Sequence, residues 1–171
     1  FRDFGKNHMM QLLALFTMTA PDSLHADEIR KKRAEIFDCL RCMSPEDVAK
    51  NTRRGQYKGY LNQDEVVSGS TTETYFEIKT DMEAGPLTGV PVYLRHGKAL
   101  DSEIKEIKIT FKRSKSMDLF GDRDDEIDGR KYENVLHYHI HPDESLKIRF
   151  FVKEPGHDDV LDRQNFGFSY E

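Results

Sequence analysis

Two hydrophobic periods divide the chain. Over residues 3–19, Met9, Met10, Leu12, Leu13, Leu15, Phe16 and Met18 cover most of a helical circumference, which predicts a largely buried helix. "APDS" (20–23) ends it and offers Asp22 or Ser23 as the N-cap of a second helix reaching about Cys42. Ile29, Ile36, Phe37 and Leu40 form the apolar stripe of that helix, and Arg30, Lys31, Lys32 and Arg33 lie across its outer side. "SPEDVAKN" (44–51) predicts a short helix with Ser44 as cap and Pro45 at its first position.

Beyond residue 70 the period falls to two. Thr72, Thr74, Phe76 and Ile78 alternate with Glu73, Tyr75, Glu77 and Lys79. Ile107, Ile109 and Phe111 alternate with lysines and a threonine; Leu136, Tyr138 and Ile140 alternate with His137, His139 and His141. Leu146, Ile148, Phe150 and Val152 alternate with Lys147, Arg149 and Lys153, and "GVPVYLRHGK" (89–98) adds a shorter apolar strand. One buried and one wet face per strand is the signature of antiparallel sheet. Helices first and strands later make the class α+β. The polar, glycine-punctuated segment 113–131 reads as a mobile connection between two strands.

Composition narrows the partners. The 171 residues suffice for one domain, and 37% hydrophobic with 33% charged residues describes a soluble globular protein. A net charge of −5 leaves no basic excess for nucleic acid. No stretch approaches the roughly 18 apolar residues of a membrane span, and the polar opening residues, Asp3 among them, form no signal peptide. Cys39 and Cys42 alone build no disulfide framework, so a reducing cytoplasm is expected. The opening on Phe1 and the strand-like close "NFGFSYE" read as cuts within a longer protein.

Four constellations carry candidate chemistry. Asp3 and Asn7 are four apart and share an α-helical face, while His8 lies about 140° round from Asp3. Fraying at the helix start would let both point into one cleft, where a histidine serves as general base and a carboxylate orients it or holds a hydroxyl. The alternative is a capping aspartate beside a half-buried histidine. In "LRHGKAL" (94–100), Gly97 admits a ligand to the backbone and Lys98 offers a point charge for phosphate; a solvated lysine is the ordinary reading. His137, His139 and His141 project from one strand face, with Glu144 as a possible fourth ligand, a metal-like set against a merely polar sheet face. Cys39 and Cys42, one helical turn apart, suit a metal or redox pair, or two packed thiols.

Several stretches then resemble one family in order. "RDFGKNHMMQLLALFTM" is similar to the RD-x3-NH-LLQ-L helix of glucose-6-phosphate dehydrogenases, and "RGQYKGYLNQDEVVSGSTTETYFEIK" to their GQY…GY…V…GSTT-x-T-(F/Y) segment. "GVPVYLRHGKAL" resembles GVPF-(Y/I)-LR-x-GK-x-L, "HIHPDESLKI" resembles I-x-QP-x-E, "VKEPG" resembles the K-x-PG turn, and "FGFSYE" resembles L-x-L-x-Y. Together they span nearly the whole chain. The resemblance implies a single α+β domain over residues 1–171, its N-terminal helices packed on a large, mainly antiparallel sheet. This would be part of an enzyme whose N-terminal dinucleotide-binding domain and C-terminal end lie outside the chain.

It also implies chemistry: oxidation of glucose 6-phosphate to the lactone with hydride transfer to NADP, the first step of the pentose phosphate pathway. His8 would be the general base for the C1 hydroxyl, Asp3 a sugar contact and Lys98 a phosphate ligand. The family's second basic residue falls on Glu103 here, two positions before Lys105, and a carboxylate repels a phosphate dianion. Either Lys105 substitutes or the pocket differs. The family's Gln of QP-x-E is His141, which can still donate to phosphate or hydroxyl. A homodimer through the sheet is expected, and no metal. NADP would be held by the domain outside the chain, and the isolated piece would be inactive. Two rivals remain: a non-catalytic dimerisation or regulatory homologue, and a histidine-rich metal-binding β-protein.

Overall fold

The computed structural model describes residues 2–115, 132–156 and 160–170. It divides into two compact units, Phe1–Leu100 and Asp101–Glu171. The segment expected as a mobile connection lies outside the described residues from position 116 to 131.

The first unit opens with a π-helix, Arg2–Met9, that runs directly into α1 (Met10–Thr17). Next come α2 (Ala26–Cys39), α3 (Pro45–Asn51) and an antiparallel sheet in the order β1 (Thr52–Gly55), β2 (Tyr75–Asp81), β3 (Pro91–Gly97). Ala14, Ile36 and Met82 centre its core, with Leu13, Met18, Phe37, Cys39, Leu40, Leu87 and Val92 packed around them.

Three expectations for the helices change. The first helix is not largely buried: among its described residues Gly5 and Ala14 are buried, while Leu12, Leu15 and Phe16 are 36%, 44% and 41% exposed. One side packs on α2, and the described residues leave much of the other in contact with solvent. The second helix starts at Ala26 with His25 as N-cap rather than Asp22 or Ser23. It stops at Cys39 because the chain then runs alongside the end of β2: Glu83 N–H donates to Cys39 O (2.8 Å) and Arg41 N–H to Asp81 O (3.1 Å). Cys42 is therefore exposed outside the helix and Cys39 is half-buried, both as free thiols. The third helix matches its reading, since Ser44 and Asp47 form a reciprocal capping box behind Pro45.

The second strand begins at Tyr75, three residues later than alternation predicts. Gln56 takes the backbone that would have extended it. Its Nε2 donates to Ser70 O (2.8 Å) and Thr72 O (2.9 Å). Buried Thr74 completes the clamp by accepting from Tyr57 N–H through Oγ1 at 2.9 Å.

The second unit is a four-stranded antiparallel sheet in the order β4 (Lys105–Thr110), β5 (Val135–His141), β6 (Ser145–Lys153), β7 (Leu161–Ser169). Two apolar ladders cross it, Ile109–Leu136–Ile148–Phe166 and Ile107–Tyr138–Leu146–Phe168. The opposite face carries Lys108–His137–Lys147 and Glu106–His139–Ser145. A bulge between Lys105 and Glu106 sets Lys105 opposite His141 and Glu106 opposite His139. Helices and antiparallel sheets together make the α+β class of the sequence reading, with the described strands in sheets of three and four. No helix among the described residues is long and apolar enough to cross a membrane.

Candidate active site

In the first unit, Asp3 and His8 sit on the opening π-helix. An α-helix sets residues five apart about 140° from one another. A π-helix closes its hydrogen bonds from i to i+5 and brings them close to one side. Register, not fraying, therefore draws these two positions together. Asn7 Nδ2 donates to Asp3 Oδ1 at 3.3 Å, which holds the carboxylate on the helix surface. Asp3, Asn7 and His8 are all exposed, so a ligand has access to each.

Lys98 follows β3 in a constrained turn. Its N–H donates to Thr74 O at 2.8 Å, anchoring it to the clamped segment before β2. Ala99 takes a left-handed conformation at φ 54°, strain that persists only where the surroundings enforce it. The hydrogen of Gly97 is required by packing: a Cβ there would lie 2.9 Å from Tyr75 Cδ2 and 3.0 Å from both Leu100 methyl carbons. The backbone approach foreseen at this glycine is thus made first by the chain's own side chains.

Between these two groups stands His96, which the sequence reading passed over. Phe4 stacks on its ring at 4.1 Å between centroids and 12°, while His8 lies 5.4 Å from the Phe4 ring and Phe76 lies 5.7 Å from His96. Burial holds the His96 imidazole below its ordinary pKa, and the neighbouring charges of Lys98 and His8 push the same way. His96 therefore senses both candidate groups. No spacing signals it, because Phe4 and His96 are brought together only by the fold.

In the second unit, Lys105 and His141 meet across β4 and β5. Glu103 lies by both: its Oε1 is 3.4 Å from Lys105 Nζ and 3.8 Å from His141 Nε2. The Glu103 carboxylate is thus held by the two basic groups that the sequence reading expected near a phosphate.

The histidine triplet separates. His137 and His139 stack at 5.7 Å and 16°, and their Nδ1 atoms lie 3.7 Å and 3.9 Å from Glu106 Oε2. His141 sides with Glu103 instead, and neither it nor Glu144 belongs to the group whose ligand atoms converge. Glu106 escaped the sequence reading because it comes from the neighbouring strand.

The family described as "Glucose-6-phosphate dehydrogenase, C-terminal domain" matches residues 1–171. The glucose-6-phosphate 1-dehydrogenase of Aggregatibacter actinomycetemcomitans is 36% identical over 165 residues, covering 91% of this chain and 32% of that protein. That of Chlamydia pneumoniae is 36% identical over 181 residues, with 99% and 34% covered. Among solved structures, glucose-6-phosphate 1-dehydrogenase from Mycobacterium avium superposes with TM-score 0.78 at 29% identity over 99% of this chain and 35% of its own. A glucose-6-phosphate dehydrogenase in complex with its substrate glucose-6-phosphate gives TM-score 0.79 at 26% identity, covering 99% and 34%. The chain spans about a third of the length of the curated relatives it matches. Matched along its full length, the chain belongs to the glucose-6-phosphate dehydrogenase C-terminal domain family.

Proposed function

We propose that this chain is the substrate-side part of a cytoplasmic glucose-6-phosphate 1-dehydrogenase, with residues 1–171 acting as one functional domain of a longer enzyme. The observation that carries the reading is the convergence, in one unit, of the exposed His8–Asp3 face of the π-helix and the anchored Lys98 turn about Phe4 and His96. Family membership and the relatives named above supply the substrate, glucose 6-phosphate.

In this reading His8 accepts the proton of the C1 hydroxyl as the C1–H bond gives up its hydride and the C1–O bond becomes the lactone carbonyl. Asp3, steadied by Asn7, accepts a hydrogen bond from a sugar hydroxyl. Lys98 supplies a cation for the phosphate. Within the second unit, Lys105 and His141 are basic groups that a phosphate would draw away from Glu103. Such positioning converts binding into rate by holding the proton and its acceptor within hydrogen-bond reach.

NADP, when bound, accepts the hydride. Among the described residues both sheets are antiparallel, with no parallel strand–turn–helix unit of the kind that cradles a dinucleotide pyrophosphate. Its site belongs to a part of the enzyme outside this chain, and the isolated chain is inactive.

The chain pairs with a second copy through the four-stranded sheet. The support is the apolar face of crossed ladders, whose outermost members Phe166 and Phe168 are 61% and 45% exposed.

The test is glucose 6-phosphate-dependent reduction of NADP by the full-length protein, beside His8→Asn. Loss of a general base lowers kcat by about 10²–10⁴-fold with little change in thermal stability. Activity within a few-fold of wild type in a folded His8→Asn protein would remove His8 from the chemistry. An inactive, folded wild type would favour the non-catalytic dimerisation reading.

A further inference from the structure

The polar face of the four-stranded sheet holds a group that the proposed dehydrogenation does not use. Glu106 on β4 stands directly opposite His139 on β5, and His137 follows two residues earlier on the same face. A β-strand places alternate side chains on one side, so both imidazoles rise together and stack. The bulge after Lys105 is what brings Glu106 rather than a neighbour into line with them.

We infer that Glu106, His137 and His139 form a three-ligand site for a divalent transition-metal ion, with zinc as the ion it takes. The two imidazoles and the carboxylate each present one ligand atom, all within 4.8 Å of one another. Both His Nδ1 atoms approach the same Glu106 oxygen, at 3.7 Å and 3.9 Å. These distances are too long for hydrogen bonds. A tetrahedral zinc with bonds near 2.0–2.1 Å separates its ligand atoms by about 3.4 Å. Small side-chain rotations close that difference.

The donor set selects the ion. Two imidazoles with one carboxylate suit zinc and its transition-metal neighbours, whereas magnesium and calcium take oxygen cages. The side chains of His137, His139 and Glu106 are 27%, 25% and 40% exposed, so solvent can reach the cluster to supply a fourth ligand. Lys108 and Lys147 flank His137 on the two neighbouring strands and oppose a cation. The site is therefore one of moderate affinity that ties β4 to β5.

The experiment uses the full-length protein, stripped by chelator and dialysed against micromolar zinc or zinc-free buffer. Bound metal is counted by elemental analysis, and its ligands are read by X-ray absorption. One zinc per chain, with two imidazoles in its first shell, is the expected result. His139→Ala and Glu106→Gln each weaken binding by about tenfold or more. Lys108→Ala tightens it several-fold, and His25→Ala leaves it unchanged. No retained zinc, a shell with fewer than two imidazoles, or undiminished binding in a folded His137→Ala/His139→Ala protein overturns the site. The absorption measurement needs no variant, so misfolding of one cannot obscure the answer.

Discussion

The ring of Phe4 lies flat on that of His96, 4.1 Å between centroids and 12° from parallel. This contact joins the π-helix that carries His8 to the strand that leads into Lys98. Phe4 is 38% exposed, so its substitution costs less than a core truncation. Phe4→Ala loses about 1 kcal/mol of stacking, and kcat/KM falls roughly five- to tenfold as the two groups lose their common brace. Urea unfolding and steady-state kinetics on the same preparation check both effects.

His96 gives the first unit a pH dependence of definite sign. Burial lowers its pKa, with Lys98 and His8 acting in the same direction, so the unfolded chain binds this proton more tightly than the folded one. The contribution to stability is complete above the unfolded value near 6.5 and is lost as pH falls through the lower folded value. His96→Phe removes this dependence. Unfolding free energies of wild type and variant converge toward neutral pH relative to their separation at pH 5, where wild type has lost the larger amount.

On the proposed function, a phosphate dianion would compete with Glu103 for Lys105 and His141. All three side chains are well exposed, so the pairing is worth at most about 1 kcal/mol and a dianion can displace it. Glu103→Gln lowers KM for glucose 6-phosphate by about three- to tenfold and shifts stability by under about 0.5 kcal/mol. An unchanged KM would separate this trio from the phosphate.

The turn after β3 is sterically exacting. In Gly97→Ala the new methyl meets the Tyr75 ring and the Leu100 methyl carbons, and costs about 1–3 kcal/mol. Since Lys98 hangs from the same backbone, KM for the phosphorylated sugar rises as the melting temperature falls. Thermal unfolding and substrate titration report the two together.

The exposed aromatic edge predicts an assembly phenotype. Phe166→Asp places a charge on the apolar ladder of β7 and turns the expected dimer into monomers, read by sedimentation velocity.

Much of the fold was legible because period and capping are local. Ser44, Pro45 and Asp47 end one segment and start another by their own hydrogen bonds. The alternation in Leu136–Ile140 and Leu146–Phe150 states which face of the sheet is apolar before any partner strand is known. What could not be read comes from contacts distant in sequence. Gln56 delays β2 by capturing the Ser70 and Thr72 carbonyls, and β1 is too short to show alternation. The α1 pattern foretells apolar residues around the helix but not how many find a neighbour. Of the candidate groups, His8, Asp3 and Lys98 are visible through their motifs, whereas the contact of Phe4 with His96 and, in the second unit, that of Glu106 with His137 and His139 are made only by folding.

The π-helical opening ties function to a count of residues. Asp3 and His8 share a side because five intervening steps make nearly one turn in that register. Delete one residue between them, and α-helical hydrogen bonding becomes the cheaper choice. The two ends, then four apart, still return to one side of the axis, about 40° from one another. What the deletion removes is the widened turn between them, with the extra residue it carries. The pairing thus depends on spacing and register changing together: five steps serve it in the wide turn and four in the narrow one.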